Sequence, residues 1–182
     1  MSYINVYTGP MKCGKTSRLI EQYNKFKFSN NKIQMFKPTI DIRFEKDTVK
    51  DRNNNEIECI NINSIKDLLF YENKVDIYFI DEFQFLNGDI NDLFYLQDKG
   101  KIFYISGLNL TAERKPFGLM KDLLCIADNI TCLTSICEHC KKNNAIYSYC
   151  KVTKNQDILI GDSEYIALCP NCYNYLIKNK DD

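Results

Sequence analysis

Three observations predict an α/β fold with a mostly parallel sheet flanked by helices, followed by a small cysteine-rich lobe. Short, nearly continuous apolar runs alternate with segments of helical periodicity. A glycine-containing loop joins the first apolar run to the first of those helices. The alternation stops after Thr134, and the rest of the chain is organised around two Cys-x-x-Cys pairs.

The elements follow in order. Residues 3–8 (YINVYT) read as a short buried strand. After the loop, Leu19, Ile20, Tyr23 and Phe26 recur at the spacing of one helical face. Ile33–Phe36 makes a second strand, ended by Lys37-Pro38. From Glu45 to Glu56 the chain is charged, Asn-rich and almost without apolar residues, the composition of a mobile loop. Val75–Ile80 (VDIYFI) is a near-continuous apolar run, as a strand covered on both faces should be. Residues 89–98 read as helix, 102–106 as another buried strand, 118–127 as helix and 129–134 as the last strand of the sheet. This alternation implies right-handed crossovers between parallel strands. A boundary at Ser135 divides the chain into residues 1–134 and residues 135–182.

Composition narrows the class. The 182 residues suit one domain with a small appendage. No apolar run reaches the 18 or so residues that a membrane-spanning helix needs. The N-terminus lacks the basic, apolar, small-residue order of a signal peptide, so a cytoplasmic protein is expected. Lys and Arg number 24 and Asp and Glu 24, with no basic stripe, which argues against stable binding of nucleic acid. Nine cysteines without a secretory signal argue for metal rather than a disulfide scaffold.

Gly9-Pro10-Met11-Lys12-Cys13-Gly14-Lys15-Thr16 fits G-x-x-x-x-G-K-[ST] between a strand and a helix. Glycines let several backbone N–H groups turn toward one anion, and the helix that follows adds its positive N-terminal end. Lys15 would reach the β- and γ-phosphates of ATP, and Thr16 would offer its hydroxyl to Mg²⁺. These eight residues point to a P-loop NTPase core, without naming the reaction. Asp81 and Glu82 close the VDIYFI strand, where a P-loop protein places its second Mg²⁺-side carboxylate. Asp81 then serves the metal and Glu82 takes a proton. Phe83, Gln84 and Phe85 follow; the first two are assigned to the ATP side of the site, and the aromatics beside a base suit either a flat organic acceptor or, equally, simple core packing.

Cys137-Glu138-His139-Cys140 and Cys169-Pro170-Asn171-Cys172 each bring two sulfurs to one ion, and the 28 residues between the pairs let the chain return. Four thiolates close a tetrahedral site, so the zinc expected there is structural. His139, the only histidine, is expected to be exposed and not a ligand; Cys13, Cys59, Cys125, Cys132 and Cys150 read as small apolar or loop residues.

Taken together, GPMKCGKT at 9–16, KPTIDIR at 37–43, IDEFQF at 80–85, GLNLTAERKPFG at 107–118, CEHC at 137–140 and IGDSEY followed by CPNCY at 160–173 resemble the zinc-containing (type II) thymidine kinases. The resemblance implies transfer of the ATP γ-phosphoryl group to the 5′-hydroxyl of thymidine. It implies that Lys15 contacts phosphate, that Thr16 and Asp81 serve Mg²⁺, and that Glu82 is the general base. Arg43 would stabilise charge on the transferring group, with Asp41 in support. Met11, Phe85, Leu108, Phe117, Ser148 and Tyr165 would line or close the nucleoside pocket. Ile158, Leu159, Ile160 and Gly161 would form the backbone side of a lasso loop over the base, within a small zinc-ribbon-like lobe. The family also implies a homotetramer. The chain departs from the family pattern at Asn109, Ala112 and Cys150, and its lasso is one residue short. A P-loop ATPase driven by nucleic acid, with the cysteine lobe as its grip, is the alternative; thymidine should stimulate ATP turnover in the first case and DNA in the second.

Overall fold

The computed structural model describes residues 2–41, 47–152, 161 and 163–179. Its first eight strands are β1 (Ile4–Thr8), β2 (Ile33–Pro38), β3 (Thr48–Lys50), β4 (Glu56–Glu58), β5 (Ile60–Ile62), β6 (Ile77–Ile80), β7 (Ile102–Gly107) and β8 (Asn129–Cys132). Four short strands follow, β9 (Ser135–Ile136), β10 (Asn144–Ala145), β11 (Tyr147–Cys150) and β12 (Tyr165–Leu168). The helices are α1 (Lys15–Phe26), α2 (Asn91–Asp98), α3 (Met120–Ile126) and α4 (Pro170–Lys178), with 3-10 turns at Ile65–Tyr71 and Phe83–Phe85.

Six strands form one sheet in the order β5-β2-β6-β7-β1-β8, every pair parallel. Side chains alternate across it, and both faces are apolar. Tyr78 and Ile80 of β6 join Ile4, Val6, Phe36, Phe103 and Ile105 on one face, where Ile65, Leu68, Leu93, Leu96, Met120 and Leu123 cover them. Ile77 and Phe79 join Met35 and Tyr104 on the other, under Leu19 and Ile20 of α1. Double burial is why β6 reads as an uninterrupted apolar run. Burying a Leu or Ile side chain is worth about 1.5–3 kcal/mol, so Leu19 and Ile20, 0% and 2% exposed, fix α1 against the sheet.

The structure departs from the sequence reading at three places. First, β2 does not end at Lys37-Pro38: Phe36, Lys37 and Pro38 pair with Ile60, Asn61 and Ile62. The proline is tolerated because it is the last residue of the strand. Second, β5 and the Ile65–Tyr71 turn carry no element in the sequence reading. A capping box at Ser64 and Asp67 marks that turn; the Asp67 carboxylate accepts from the N–H groups of Asn63 (2.8 Å) and Ser64 (3.1 Å). Third, the described part of the expected mobile loop is a hairpin. Residues β3 and β4 pair antiparallel, Val49 opposite Ile57, and these two are 3% and 6% exposed against the α1 side of the sheet. Asp51 shapes the turn, accepting from the N–H groups of Asn53 and Asn55 (2.9 Å each) and from the Asn55 amide (3.0 Å). Glu45 and Lys46, which open the expected loop, lie outside the described residues.

Beyond Ser135 the pieces are small. β9 pairs with β10 and β11 with β12, both antiparallel. Ala145, Ala167, Leu168 and Tyr173 pack with four buried or half-buried cysteines into a core of their own. Among the described residues no helix is long and apolar enough to cross a membrane.

Candidate active site

All six strands of the sheet end at the same edge, and the candidate site lies there, as expected for an open parallel sheet. Between β1 and α1 the backbone turns sharply. Gly9 has φ 141°, and a side chain there would press its Cβ to 2.2 Å from the Leu133 carbonyl oxygen. Gly14 has φ 87° and stands at the N-terminus of α1. Only glycine meets both demands without strain. Lys15 is 7% exposed, and its ammonium is held inside the loop by the Pro10 carbonyl at 2.7 Å.

Asp81 follows β6 and is 4% exposed. Thr16 Oγ1 donates to its Oδ2 at 3.0 Å, and the Ser106 hydroxyl, on β7, donates to its Oδ1. The loop, β6 and β7 thus meet at one carboxylate. Glu82, 6% exposed, adopts φ 52° and leads into the Phe83–Phe85 turn. The Gln84 amide donates to Glu82 Oε2, while Gln84 Oε1 accepts from the Leu108 N–H at 2.9 Å. Gln84 therefore bridges the acidic pair to the segment after β7. Close packing protects that bridge: a Cβ on Gly118 would lie 2.4 Å from the Gln84 carbonyl oxygen.

A cleft opens over these groups, lined by Met11, Lys12, Gly14, Lys15, Thr16, Asp41, Asp81, Glu82 and Leu108 among others. Its far wall is residues 48–52 of the hairpin, together with Ser17, none of which the sequence reading included. Asp51 belongs to that wall. Burial pushes its carboxyl up, but hydrogen bonds from Asn55, Ser17 and Asn53 outweigh it and hold the group below its ordinary value. Ser106 also escaped the reading, since a serine ending an apolar strand carries no motif.

The remaining candidates fall in several places. Pro10 and Cys13 complete the loop. Phe83 is fully buried in the core, and Gln84 is 3% exposed. Phe85 and Phe117 pack edge to face with centroids 5.4 Å apart, both half-buried. Ser148 Oγ accepts from the Met11 N–H at 2.9 Å, so it touches the phosphate loop directly. Tyr165 begins β12 opposite Cys150, and Gly161 is half-buried. Arg43, Ile158, Leu159 and Ile160 lie outside the described residues.

The four sulfurs of Cys137, Cys140, Cys169 and Cys172 lie within 4.8 Å of one another. A tetrahedral zinc site with Zn–S near 2.3 Å sets its sulfurs about 3.8 Å apart; Cys140 and Cys169 are 4.0 Å apart. Burial alone would raise the Cys137 thiol. N–H groups of Cys140, Cys169 and His139 outweigh that and hold it below its ordinary value, whereas burial pushes the neighbouring Cys172 thiol up to about 12; it is the four-sulfur geometry that marks the metal site. The group fits a metal ion such as zinc. His139 is exposed and lies 6.0 Å from the Tyr175 ring. Cys59 and Cys150 are buried and Cys13 half-buried, whereas Cys125 and Cys132 are exposed.

The parallel sheet and the geometry of its first loop define an α/β protein of the P-loop class with an added four-cysteine cluster. A family model described as thymidine kinase matches residues 2–173. A protein named thymidine kinase from Porphyromonas gingivalis is 34% identical over 172 residues, covering 93% of this chain and 84% of its own length. One from Pseudothermotoga lettingae is 32% identical over 181 residues, 98% of both chains. One from onion yellows phytoplasma is 44% identical over 138 residues, 74% of this chain and 66% of its own. The chain belongs to the thymidine kinase family.

Proposed function

We propose that the chain transfers the γ-phosphoryl group of ATP to the 5′-hydroxyl of thymidine, and of deoxyuridine, for nucleotide salvage in the cytoplasm. The observation that carries this reading is the meeting of Thr16, Asp81 and Glu82 at one end of the cleft, in a chain of this family. The backbone N–H groups of Lys12, Cys13 and Gly14 and the N-terminus of α1 cradle the phosphates, and Lys15 neutralises the β- and γ-oxygens. Thr16 and Asp81 offer only oxygen donors, a set suited to Mg²⁺. Mg²⁺ there would offset charge on the transferring group. Glu82, aimed by Gln84, takes the proton of the 5′-hydroxyl as its oxygen bonds to the γ-phosphorus and the bond to ADP breaks. Arg43 stabilises the equatorial oxygens, with Asp41 in support.

Met11, Phe85, Leu108, Phe117, Ser148 and Tyr165 wall the nucleoside, and residues 158–161 read the edge of its base. The four cysteines hold a structural zinc. Residues 1–134 form the ATP-binding unit and residues 135–182 the lobe that closes over the nucleoside; the break at 134 falls between β8 and β9. The chain assembles as a homotetramer, a reading consistent with the exposed edge strand β8. The test is incubation with labelled ATP, Mg²⁺ and a panel of nucleosides. Labelled 5′-monophosphates of thymidine and deoxyuridine are expected, with little from deoxycytidine and none from purines. Phosphate release stimulated by DNA, with no nucleotide product, would overturn the reading.

A further inference from the structure

The phosphate loop touches the cysteine lobe at two consecutive residues. The Met11 N–H donates to Ser148 Oγ at 2.9 Å, and the ammonium of the next residue, Lys12, lies 3.0 Å from Glu138 Oε2. Lys12 has φ 63°, a left-handed conformation that an L side chain holds only when its surroundings impose it. Glu138 is well placed to impose it. It is the first residue inside the Cys137–Cys140 turn, and its own N–H donates to the Ala167 carbonyl at 2.8 Å. Its Oε1 accepts from the Ala167 N–H, also at 2.8 Å, which leaves Oε2 for Lys12. The glutamate is therefore gripped at its base by the cysteine turn and at its tip by β12. Lys12 is the movable partner of the pair.

We infer that Glu138 is a positioning residue for the phosphate loop, making the loop's grip on a nucleotide depend on the folded cysteine lobe. This rests on the reading of residues 9–16 as the ATP site. The direction of the loop's N–H groups follows from the backbone angles at Lys12, and those N–H groups are what hold an anion. Releasing Lys12 lets the backbone relax and turns donors away from the phosphates. The chemistry at Glu82 is untouched, so the effect belongs to nucleotide affinity and not to turnover at saturation. The rival arrangement has the opposite sign. If Glu138 only competed with phosphate for Lys12, removing its charge would tighten nucleotide binding.

Glu138→Gln separates the two, because the amide oxygen can still accept from Ala167. In full-length, zinc-loaded protein, binding of a fluorescent ATP analogue with Mg²⁺ should weaken about two- to fivefold, the upper part of the range of a partly exposed charged pair. Zinc content and the KM for thymidine should hold, and kcat at saturating ATP should stay within about twofold. Lys12→Gln combined with Glu138→Gln should bind no worse than Lys12→Gln alone. Hydrogen exchange of residues 9–14 in nucleotide-free protein should be faster in both single variants, a change that a mere phosphate contact would not produce. Should Glu138→Gln lose zinc, Lys12→Gln carries the exchange test with the cysteine turn intact. Equal or tighter analogue binding by zinc-replete Glu138→Gln, or unchanged exchange in Lys12→Gln, overturns the inference. A wild-type protein that fails to bind the analogue would instead sink the ATP reading itself.

Discussion

Glu82 holds its carboxylate in place by local means. Its left-handed backbone costs about 1–3 kcal/mol for a non-glycine residue, yet it turns the side chain out of β6 and into the cleft beside Asp81. The Gln84 amide then fixes the carboxylate by donating to its Oε2. Glu82→Gln should keep ATP and thymidine binding while lowering kcat by about 10²–10⁴, the usual range for loss of a general base. Steady-state kinetics with binding of both ligands checks this; near wild-type kcat would remove Glu82 from the role. Tyr78 presents the opposite situation. Its ring stacks between Phe36 (5.6 Å) and Phe103 (5.2 Å), while its hydroxyl is buried and finds no hydrogen-bond partner among the described residues. Burial accordingly pushes its phenol up. Tyr78→Phe keeps the stacking and removes the stranded hydroxyl, so the unfolding free energy from denaturant titration should stay level or rise, by about 1 kcal/mol at most. A clear drop would reveal a partner for the hydroxyl.

Among the elements, the β3–β4 hairpin has the most to test. Asp51 organises its turn, and the folded state holds that carboxyl below its ordinary value of 3.8. A depressed folded value means the stabilisation is complete above about pH 4 and fades as pH falls from 3.8 toward the folded value. Asp51→Ala should therefore destabilise the hairpin by about 1–3 kcal/mol at neutral pH, and the gap to wild type should narrow below that pH. Hydrogen exchange of residues 48–58 across a pH series reads this directly, and a gap that widened on acidification would contradict it. The hairpin also shows where sequence reading stops. Strands β1, β6 and β7 are legible because burial on both faces writes a continuous apolar run into the chain. β3 and β4 are three residues each, with one buried apolar residue apiece, and their support comes from the apolar cluster on the α1 side of the sheet, most of it remote in sequence. The site divides the same way. The phosphate loop and the Asp81–Glu82 pair are local patterns with fixed spacing. Ser106 and residues 48–52 belong to the site only because the sheet and hairpin bring them there.

At the scale of the whole molecule, the cysteine lobe is fastened to the rest by side chains next to its sulfurs. Tyr173 follows Cys172, and its hydroxyl donates to the Ala112 carbonyl. The Arg114 guanidinium lies over Tyr173 at 4.8 Å and over Tyr147 at 5.5 Å. That segment begins near Leu108, which lines the cleft, so the cysteine lobe supports this side of the cleft as well as the loop at Lys12. Cys137→Ser should release zinc and unfold residues 135–179, since a small lobe draws much of its folding free energy from the metal. Elemental analysis and circular dichroism check this; a metal-free variant with full activity would refute it. The strand order has a consequence of another kind, in the life of the chain on the ribosome. β1 leaves the ribosome well before its neighbours in the sheet, β7 and β8, which end at Gly107 and Cys132. Gly9 closes against Leu133. At about 5–20 residues per second, the first strand therefore waits on the order of ten seconds for partners that flank it. Until then an apolar strand stands unpaired, and the anion-binding loop beside it has no scaffold. A nascent chain stopped before residue 133 would be unable to grip a nucleotide, however faithfully its first sixteen residues spell the motif.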